Sequence, residues 1–322
     1  MSDIADVPPF VRVEELDGLP GRVVLADMRW YLDGRSGRAA YERGHLPAFV
    51  RVEELDGLPG RVVLADMRWY LDGRSGRAAY ERGHLPGAVF VDLDRVLTGP
   101  ATPAGGRNPL PSPEVFAEGM RSLGIDDGDI VVAYDDQGGV IAARLVWMIR
   151  TTGRRAAVLD GGLAAYAEAY PGSLTADEPA PAQGDFATRP WPVERLVDID
   201  GVLGPRALAV DARNRDRFAG ELDPVDPRPG HVPGAVNVPC RENLDGRGHL
   251  VPRERIRDNF AAAGVDRDTA SRVVSYCGSG VTACHNLLTL EHAGLGEGRL
   301  FVGGWSAYSR DGSRPVETGA AR

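Results

Sequence analysis

Two parts of this chain repeat each other at long range, and this repeat limits the possible folds more than any other feature of the sequence. Residues 83–89 (GHLPGAV) return as residues 230–236 (GHVPGAV), and residues 160–166 (DGGLAAY) return as residues 302–308 (VGGWSAY). The sequence therefore predicts two diverged copies of one domain, at residues 49–170 and 195–322. Residues 171–194 contain five prolines among polar residues, which is typical of an interdomain linker.

A second repeat shows no divergence, because residues 10–47 are identical to residues 49–86. The second copy continues into Gly87, whereas the first copy has Ala48 at the corresponding position. A type II turn needs a positive φ angle, which glycine adopts readily and alanine resists. We therefore predict that residues 1–48 are a surplus duplicated N-terminal segment, and that residues 50–86 occupy the native place in the first domain.

Within each copy, short apolar runs alternate with helical stretches. Strands are predicted at residues 62–65, 130–134, 157–159, 207–210, 273–276 and 300–302, with helices between them such as 113–123 and 142–150. This alternation predicts an α/β fold in which each domain is a parallel sheet flanked by helices on both faces. In such sheets, ligands bind beyond the carboxyl ends of the strands.

The composition excludes several classes of function. A net charge of −9 gives no reason to expect nucleic acid or an anionic membrane as partner, and no apolar run approaches the ~18 residues of a membrane span. The three cysteines have no paired spacing and the N-terminus shows no secretory signal, so we expect a reducing, cytoplasmic location. The six histidines show no paired ligand spacing, and neither a metal nor an organic cofactor is expected.

The strongest chemical signal is a cysteine at the end of a predicted strand. Cys277 follows residues 273–276 and opens the loop CGSGVT, which leads into a predicted helix. Two glycines and two small hydroxyl residues let successive N–H groups point inward, and the helix N-terminus adds partial positive charge. Although a free cysteine is more often a small buried side chain, this setting predicts a nucleophilic thiolate at Cys277. We interpret Cys240 and Cys284 as packing residues.

Four motifs, taken in order, resemble those of the tandem-domain rhodanese-like sulfurtransferases: RFxG at residues 217–220, GHxPGA at 230–235, CGSGVTA at 277–283 and GGW at 303–305. The resemblance covers about residues 49–322. It implies a non-catalytic first domain joined to a catalytic second domain. The sequence agrees, because the first copy has Asp135 where the second has Cys277, and an aspartate cannot carry a persulfide.

The resemblance also implies a sulfur donor. The residues that follow Cys277 are similar to those of the 3-mercaptopyruvate type, whereas thiosulfate-type enzymes typically have basic residues there. The implied reaction moves a sulfane sulfur from 3-mercaptopyruvate through a Cys277 persulfide to a thiol acceptor such as thioredoxin, or to cyanide, and releases pyruvate. Ping-pong kinetics are expected.

Site residues are implied in the same way. The resemblance assigns the persulfide to the backbone N–H groups of Gly278, Ser279, Gly280, Val281 and Thr282. It assigns the donor's carboxylate and keto oxygen to Arg217 and Arg228. A relay is implied between Ser279 and His84, which would reach across from the first domain. Ser75 stands near where the relay's acid is expected, and Asp72 is the nearest acidic substitute.

Three other functions are open on the sequence. A thiosulfate sulfurtransferase would use the same cysteine with another donor. A non-catalytic persulfide carrier or binding module would have the same fold, since a fold does not fix a function. A cysteine phosphatase or arsenate reductase also holds its cysteine in an anion-binding loop, but its Cys-x5-Arg pattern requires arginine at position 283, which is Ala283.

Overall fold

The computed structural model describes residues 46–320. Its first domain contains a parallel sheet with strand order β1-β5-β4-β2-β3. The strands are β1 Phe49–Val50, β2 Val62–Asp66, β3 Val89–Phe90, β4 Ile130–Tyr134 and β5 Arg155–Leu159. The helices are α1 Gly76–Arg82, α2 Leu93–Val96, α3 Pro113–Ser122, α4 Ala142–Thr151 and α5 Gly162–Ala169.

The second domain repeats this topology, with strand order β6-β10-β9-β7-β8 and parallel pairing throughout. The strands are β6 Leu196–Val197, β7 Leu208–Asp211, β8 Val236–Asn237, β9 Val273–Tyr276 and β10 Arg299–Phe301. The helices are α6 Arg215–Ala219, α7 Arg253–Ala261, α8 Ala283–His292 and α9 Gly304–Tyr308. Short 3-10 helices lie at Val52–Gly57, Val193–Arg195, Gly201–Leu203, Cys240–Asn243 and Ala270–Arg272.

The two matching topologies confirm the predicted fold class. The central strand β4 is buried along its whole length and rich in β-branched residues, as expected for a strand with helices on both faces. The predicted helices agree closely with α3 and α4, and α3 begins where Ser112 accepts a hydrogen bond from Val115 N–H and Pro113 occupies the first turn. The two-residue strands β1, β3, β6 and β8 escaped prediction because such short runs carry no measurable periodicity.

The repeated sequence motifs form the same buried contacts in each domain. In the first domain, Arg68 forms a buried ion pair with Asp66 at 2.6 Å and donates to the carbonyl of Gly83 at 2.9 Å. In the second domain, Arg213 pairs with Asp211 at 2.6 Å and donates to the carbonyl of Gly230 at 2.7 Å. The same buried ion pair therefore anchors the GHxPGA loop in both copies.

The N-terminal edge of the first domain starts ahead of residue 49. Leu46 and Ala48 are buried, and the Ala48 carbonyl accepts a hydrogen bond from Val158 N–H at 2.8 Å. The last residues assigned to the surplus segment thus pack into the first domain. The rest of that segment, residues 1–45, lies outside the described residues, so its surplus character stays a prediction.

One of the hydrophobic clusters spans both domains. Helices α4 and α8, which follow the two equivalent loops, pack against each other. Leu145 and Ile149 of α4 belong to the same buried cluster as Leu287 and Leu288 of α8. The equivalent strand ends of the two sheets are therefore held in fixed relation. Within residues 46–320, no helix is long and apolar enough to cross a bilayer.

Candidate active site

Cys277 lies at the carboxyl end of β9, where the chain leaves the sheet, and only 3% of its surface is exposed. The loop then passes through Gly280, which has φ +79° and lies so close to Val302 that a Cβ atom would come within 2.6 Å of its carbonyl oxygen. Within the described chain, the backbone N–H groups of residues 278–282 donate to no other protein group. The loop therefore presents unused donors beside a cysteine sulfur, at the N-terminus of α8.

The equivalent loop of the first domain demonstrates what this arrangement binds. Asp135 directs its carboxylate into the loop and accepts hydrogen bonds of 2.7 to 2.9 Å from four backbone N–H groups, those of Gln137, Gly139, Ile141 and Ala142. Burial raises the pKa of Asp135, and the four N–H donors act in the opposite direction. The first domain thus fills its anion site with its own side chain.

Two guanidinium groups face the Cys277 loop. A Cβ atom at Gly278 would lie 2.9 Å from Nη2 of Arg107 and 3.6 Å from Nη2 of Arg217. Arg217 was predicted from the sequence, and its placement beside Gly278 agrees with a substrate-binding role. Arg107 was missed. It belongs to the first domain, and its only signal in the sequence is an arginine after two glycines in an irregular loop.

Buried carboxylates pair with both arginines. Asp226 accepts from Arg107 through Oδ1 and from Arg217 through Oδ2, the latter at 2.9 Å. Asp223 pairs with Arg217 at 3.0 Å and with Arg213 at 3.1 Å. Burial raises the pKa of the Asp226 carboxyl, Asp223 acts in the same direction, and the two arginines oppose the shift. The arginines are thus balanced by carboxylates of the same chain.

Arg228 does not join this group. Its guanidinium donates to the backbone carbonyls of Tyr308, Ser309, Asp311 and Arg314, at distances of 2.6 to 3.1 Å. These bonds direct Arg228 toward the segment that follows α9. The predicted substrate contact is therefore wrong in this structure. The segment between Arg217 and His231 does supply a second charged group to the site, but it is Asp226.

His84 also lies elsewhere. Its ring stacks on Tyr80 with centroids 3.7 Å apart, Nδ1 lies 2.9 Å from the Tyr80 carbonyl, and Nε2 lies 3.2 Å from the Asp177 carbonyl. His231 stacks on Phe218 in the same manner in the second domain. The predicted relay between His84 and Ser279 is therefore wrong in this structure, because both ring nitrogens of His84 face backbone carbonyls, those of Tyr80 and Asp177.

The acid proposed for that relay is engaged separately as well. Asp72 pairs with Arg74 at 2.9 Å on the surface, and Ser75 caps α1 by accepting from Ala78 N–H. Ser279 is in the loop beside Cys277 as expected and is 8% exposed. The described residues hold no group of three or more His, Cys, Asp or Glu side chains arranged to bind a metal ion.

The other two cysteines are buried, as the sequence suggested. Cys284 lies in α8 with its Sγ 3.4 Å from the Gly280 carbonyl. Burial raises the pKa of both Cys240 and Cys284 to about 12, so these two thiols are protonated at neutral pH. Cys277 is thus the cysteine in the setting suited to a nucleophile.

Comparison with known proteins gives this geometry a family. The model of the rhodanese-like domain matches residues 60–169 and again residues 196–311. The chain is 41% identical over 239 residues to a probable 3-mercaptopyruvate sulfurtransferase of Pseudomonas aeruginosa, a match covering 72% of this chain and 83% of the relative. It is 37% identical over 304 residues to SseB of Mycobacterium tuberculosis, a putative thiosulfate sulfurtransferase, covering 93% of this chain and 92% of the relative.

A solved structure agrees. The 3-mercaptopyruvate sulfurtransferase from Leishmania major has a TM-score of 0.71 at 32% identity, and the match covers 82% of this chain and 74% of that one. The resemblance that the sequence motifs suggested is thereby confirmed. The family model matches both domains, and the relatives are 41% and 37% identical to this chain. The chain therefore belongs to the rhodanese family of sulfurtransferases.

Proposed function

We propose that this protein transfers a sulfane sulfur from 3-mercaptopyruvate, by way of a persulfide on Cys277, to a thiol or to cyanide. The names of the Pseudomonas and Leishmania relatives support this donor. The loop supports it as well, because Gly278 leaves room beside the cysteine for two arginines from outside the loop. Those guanidiniums match the carboxylate and keto oxygen of an α-keto acid.

In the first half-reaction, the Cys277 thiolate attacks the sulfur of 3-mercaptopyruvate. An S–S bond forms, the C–S bond breaks, and its electron pair moves to carbon 3 to give the enolate of pyruvate. The enolate takes a proton from solvent and leaves as pyruvate. The outer sulfur stays on Cys277 as a persulfide, whose negative charge is stabilised by the N–H groups of residues 278–282.

In the second half-reaction, a thiolate or cyanide attacks the outer sulfur. The S–S bond breaks, its electron pair returns to Cys277, and the acceptor leaves as a persulfide or as thiocyanate. Nothing in the described residues selects one acceptor, so thioredoxin and smaller thiols are equal candidates.

One observation carries the proposal: the loop that Asp135 fills with its own carboxylate in the first domain has unused N–H donors in the second, beside a cysteine. A phosphatase is disfavoured, because the equivalent of its arginine clamp is Ala283. The name of the Mycobacterium relative favours thiosulfate as the second candidate donor.

The test is steady-state thiocyanate formation from cyanide with 3-mercaptopyruvate and with thiosulfate, on the wild type and on Cys277→Ala. We expect higher kcat/KM with 3-mercaptopyruvate and no turnover in the variant, and intact-mass measurement should show one added sulfur on the wild type only. Cys284→Ala is the matched control and should retain activity. Higher kcat/KM with thiosulfate would reassign the donor, and absence of Cys277-dependent turnover with both would leave the carrier function.

A further inference from the structure

We infer that Arg107, which the first domain contributes, binds the carboxylate of the sulfur donor, and that Asp226 is an internal counter-ion which the donor carboxylate displaces. The inference rests on the proposed function, because it takes the donor to be an α-keto acid. It makes the active site a product of both domains.

The position of Arg107 is built into the fold. Gly106 has φ +74° and lies so close to α9 that a Cβ atom would come within 2.3 Å of the Gly303 carbonyl oxygen. The backbone N–H of Arg107 donates to Oγ of Ser306 at 3.1 Å, and the N–H of Ser306 donates to the Gly278 carbonyl at 2.7 Å. The loop of the first domain is thus tied through α9 to the residue that follows Cys277.

The Asp226 carboxylate already occupies the position of a ligand. One of its oxygens accepts from Arg107 and the other from Arg217, so a single carboxylate bridges the two arginines that face Gly278. The Asp226 side chain is fully buried, whereas 27% of the Arg107 side chain is exposed. A donor can therefore approach Arg107 from solvent. A carboxylate from the donor would make the same bridge.

The charge balance of the site requires the donor carboxylate to replace a carboxylate that is already there, not to bind in addition to it. Arg107 and Arg217 are balanced by Asp223 and Asp226, so a further carboxylate would meet a neutral cluster. Asp223 is held by two arginines, Arg213 and Arg217, and by backbone N–H groups of its own turn. Asp226 lies in the same irregular segment between α6 and β8, but among the described residues its carboxylate accepts only from the two arginines and from no backbone N–H. Asp226 is therefore the carboxylate that yields.

The test compares two donors on three variants. 3-Mercaptopyruvate carries a carboxylate, and 1-mercaptopropan-2-one is the same donor without it. Arg107→Ala should raise KM for 3-mercaptopyruvate roughly tenfold to a hundredfold with a smaller change in kcat, because a charge-assisted contact is lost. The same variant should change KM for the neutral donor by less than about twofold. Asp226→Asn should lower KM for 3-mercaptopyruvate about threefold to tenfold, because the competing charge is removed.

Arg107→Lys should recover part of the affinity, since it keeps the charge but loses the planar fork. Arg95→Ala, which removes an exposed arginine of the same domain, is the control and should match the wild type. Equal losses with both donors in Arg107→Ala, or a raised KM in Asp226→Asn, would show that the pair only supports the fold and would overturn the inference. If the wild type does not turn over 3-mercaptopyruvate, both the proposed function and the inference are refuted. If the wild type turns it over normally and the variants behave like the wild type, only the inference is refuted.

Discussion

At the scale of single residues, the position after Cys277 determines which side chains can lie beside the cysteine. Gly278 has no side chain, and a Cβ atom there would lie 2.9 Å from Nη2 of Arg107 and 3.6 Å from Nη2 of Arg217. A side chain at this position would have to displace Arg107. The positive charge that faces the loop comes from two other segments, Arg107 in the first domain and Arg217 in the second. We therefore expect the missing side chain at position 278 to favour donor binding, because it leaves room for Arg107.

Gly278→Ala tests this interpretation. The added Cβ would lie 2.9 Å from the tip of the flexible Arg107 side chain, so the arginine should move and the backbone should stay. We expect KM for 3-mercaptopyruvate to rise roughly fivefold or more, with a change in the free energy of unfolding below about 1 kcal/mol. Steady-state kinetics and urea unfolding measure the two quantities. Gly246→Ala is the control, because nothing lies within 4 Å of its Cβ position. An unchanged KM would contradict the role assigned to this glycine.

At the scale of elements, helix α4 of the first domain supports the Cys277 loop of the second. Arg144 is fully buried and donates to the carbonyls of Gly280 at 3.2 Å, Asn108 at 3.1 Å and Leu97 at 3.4 Å. Its Nε has no acceptor among the described residues. A buried guanidinium without a carboxylate partner is costly to maintain, so its contacts serve a structural purpose. They tie the Cys277 loop to the segment that carries Arg107.

Arg144→Met keeps most of the side-chain volume but removes the donors. Three buried carbonyls would lose a partner, and we expect the free energy of unfolding to fall by about 2 to 4 kcal/mol. Urea unfolding followed by tryptophan fluorescence measures the change. Arg82→Met is the surface control, since Arg82 is exposed at the end of α1, and it should stay within about 0.5 kcal/mol of the wild type. A stability loss no larger than that of the control would show that the hydrogen bonds of Arg144 contribute nothing to the free energy of unfolding.

At the scale of the whole molecule, two histidines of the second domain lie in the contact between the domains. Phe49 of β1 lies edge-on to His285 and His292 of α8, with ring centroids 5.6 and 5.4 Å apart. Burial lowers the pKa of His285 from 6.5 to about 3 and that of His292 to about 4. Both histidines stay neutral in the folded protein at pH values where the unfolded chain protonates them. The contact between the domains is therefore sensitive to acid.

The sign of the pH dependence follows from these lowered pKa values. The stability contributed by the neutral histidines is fully present above pH 6.5 and is lost as the pH falls toward 4. Between pH 7 and pH 5, each histidine should cost about 2 kcal/mol of unfolding free energy. His285→Gln should flatten the measured pH profile by about that amount. A variant with the same slope as the wild type would show that His285 does not report on this interface.

The sequence by itself determined the parts that depend on local pattern. The long-range repeat gave two copies of one α/β domain, and the apolar runs placed six of the ten described strands. The position of Cys277 between a strand and a helix followed from the sequence, because the strand, the glycine-rich turn and the helix are adjacent in the chain. Asp135 was matched to Cys277 through the long-range repeat, in which residues 134–135 align with residues 276–277. The strands and the Cys277 loop are each encoded within about ten residues, where backbone preferences and side-chain periodicity act directly. The repeat needs only a comparison of two segments of the same chain.

Only the tertiary structure decided which side chains surround the cysteine. Arg107 reaches Gly278 from a loop of the other domain, and no local pattern records how two domains pack. Arg228 donates to four backbone carbonyls and His84 stacks on Tyr80, although the family resemblance had assigned both to the site. A motif predicts the local structure of its own segment, but the packing of α4 on α8 determines which segments come into contact. The anion-binding loop could therefore be predicted from the sequence, whereas the arginines that face it were decided by the contact between the domains.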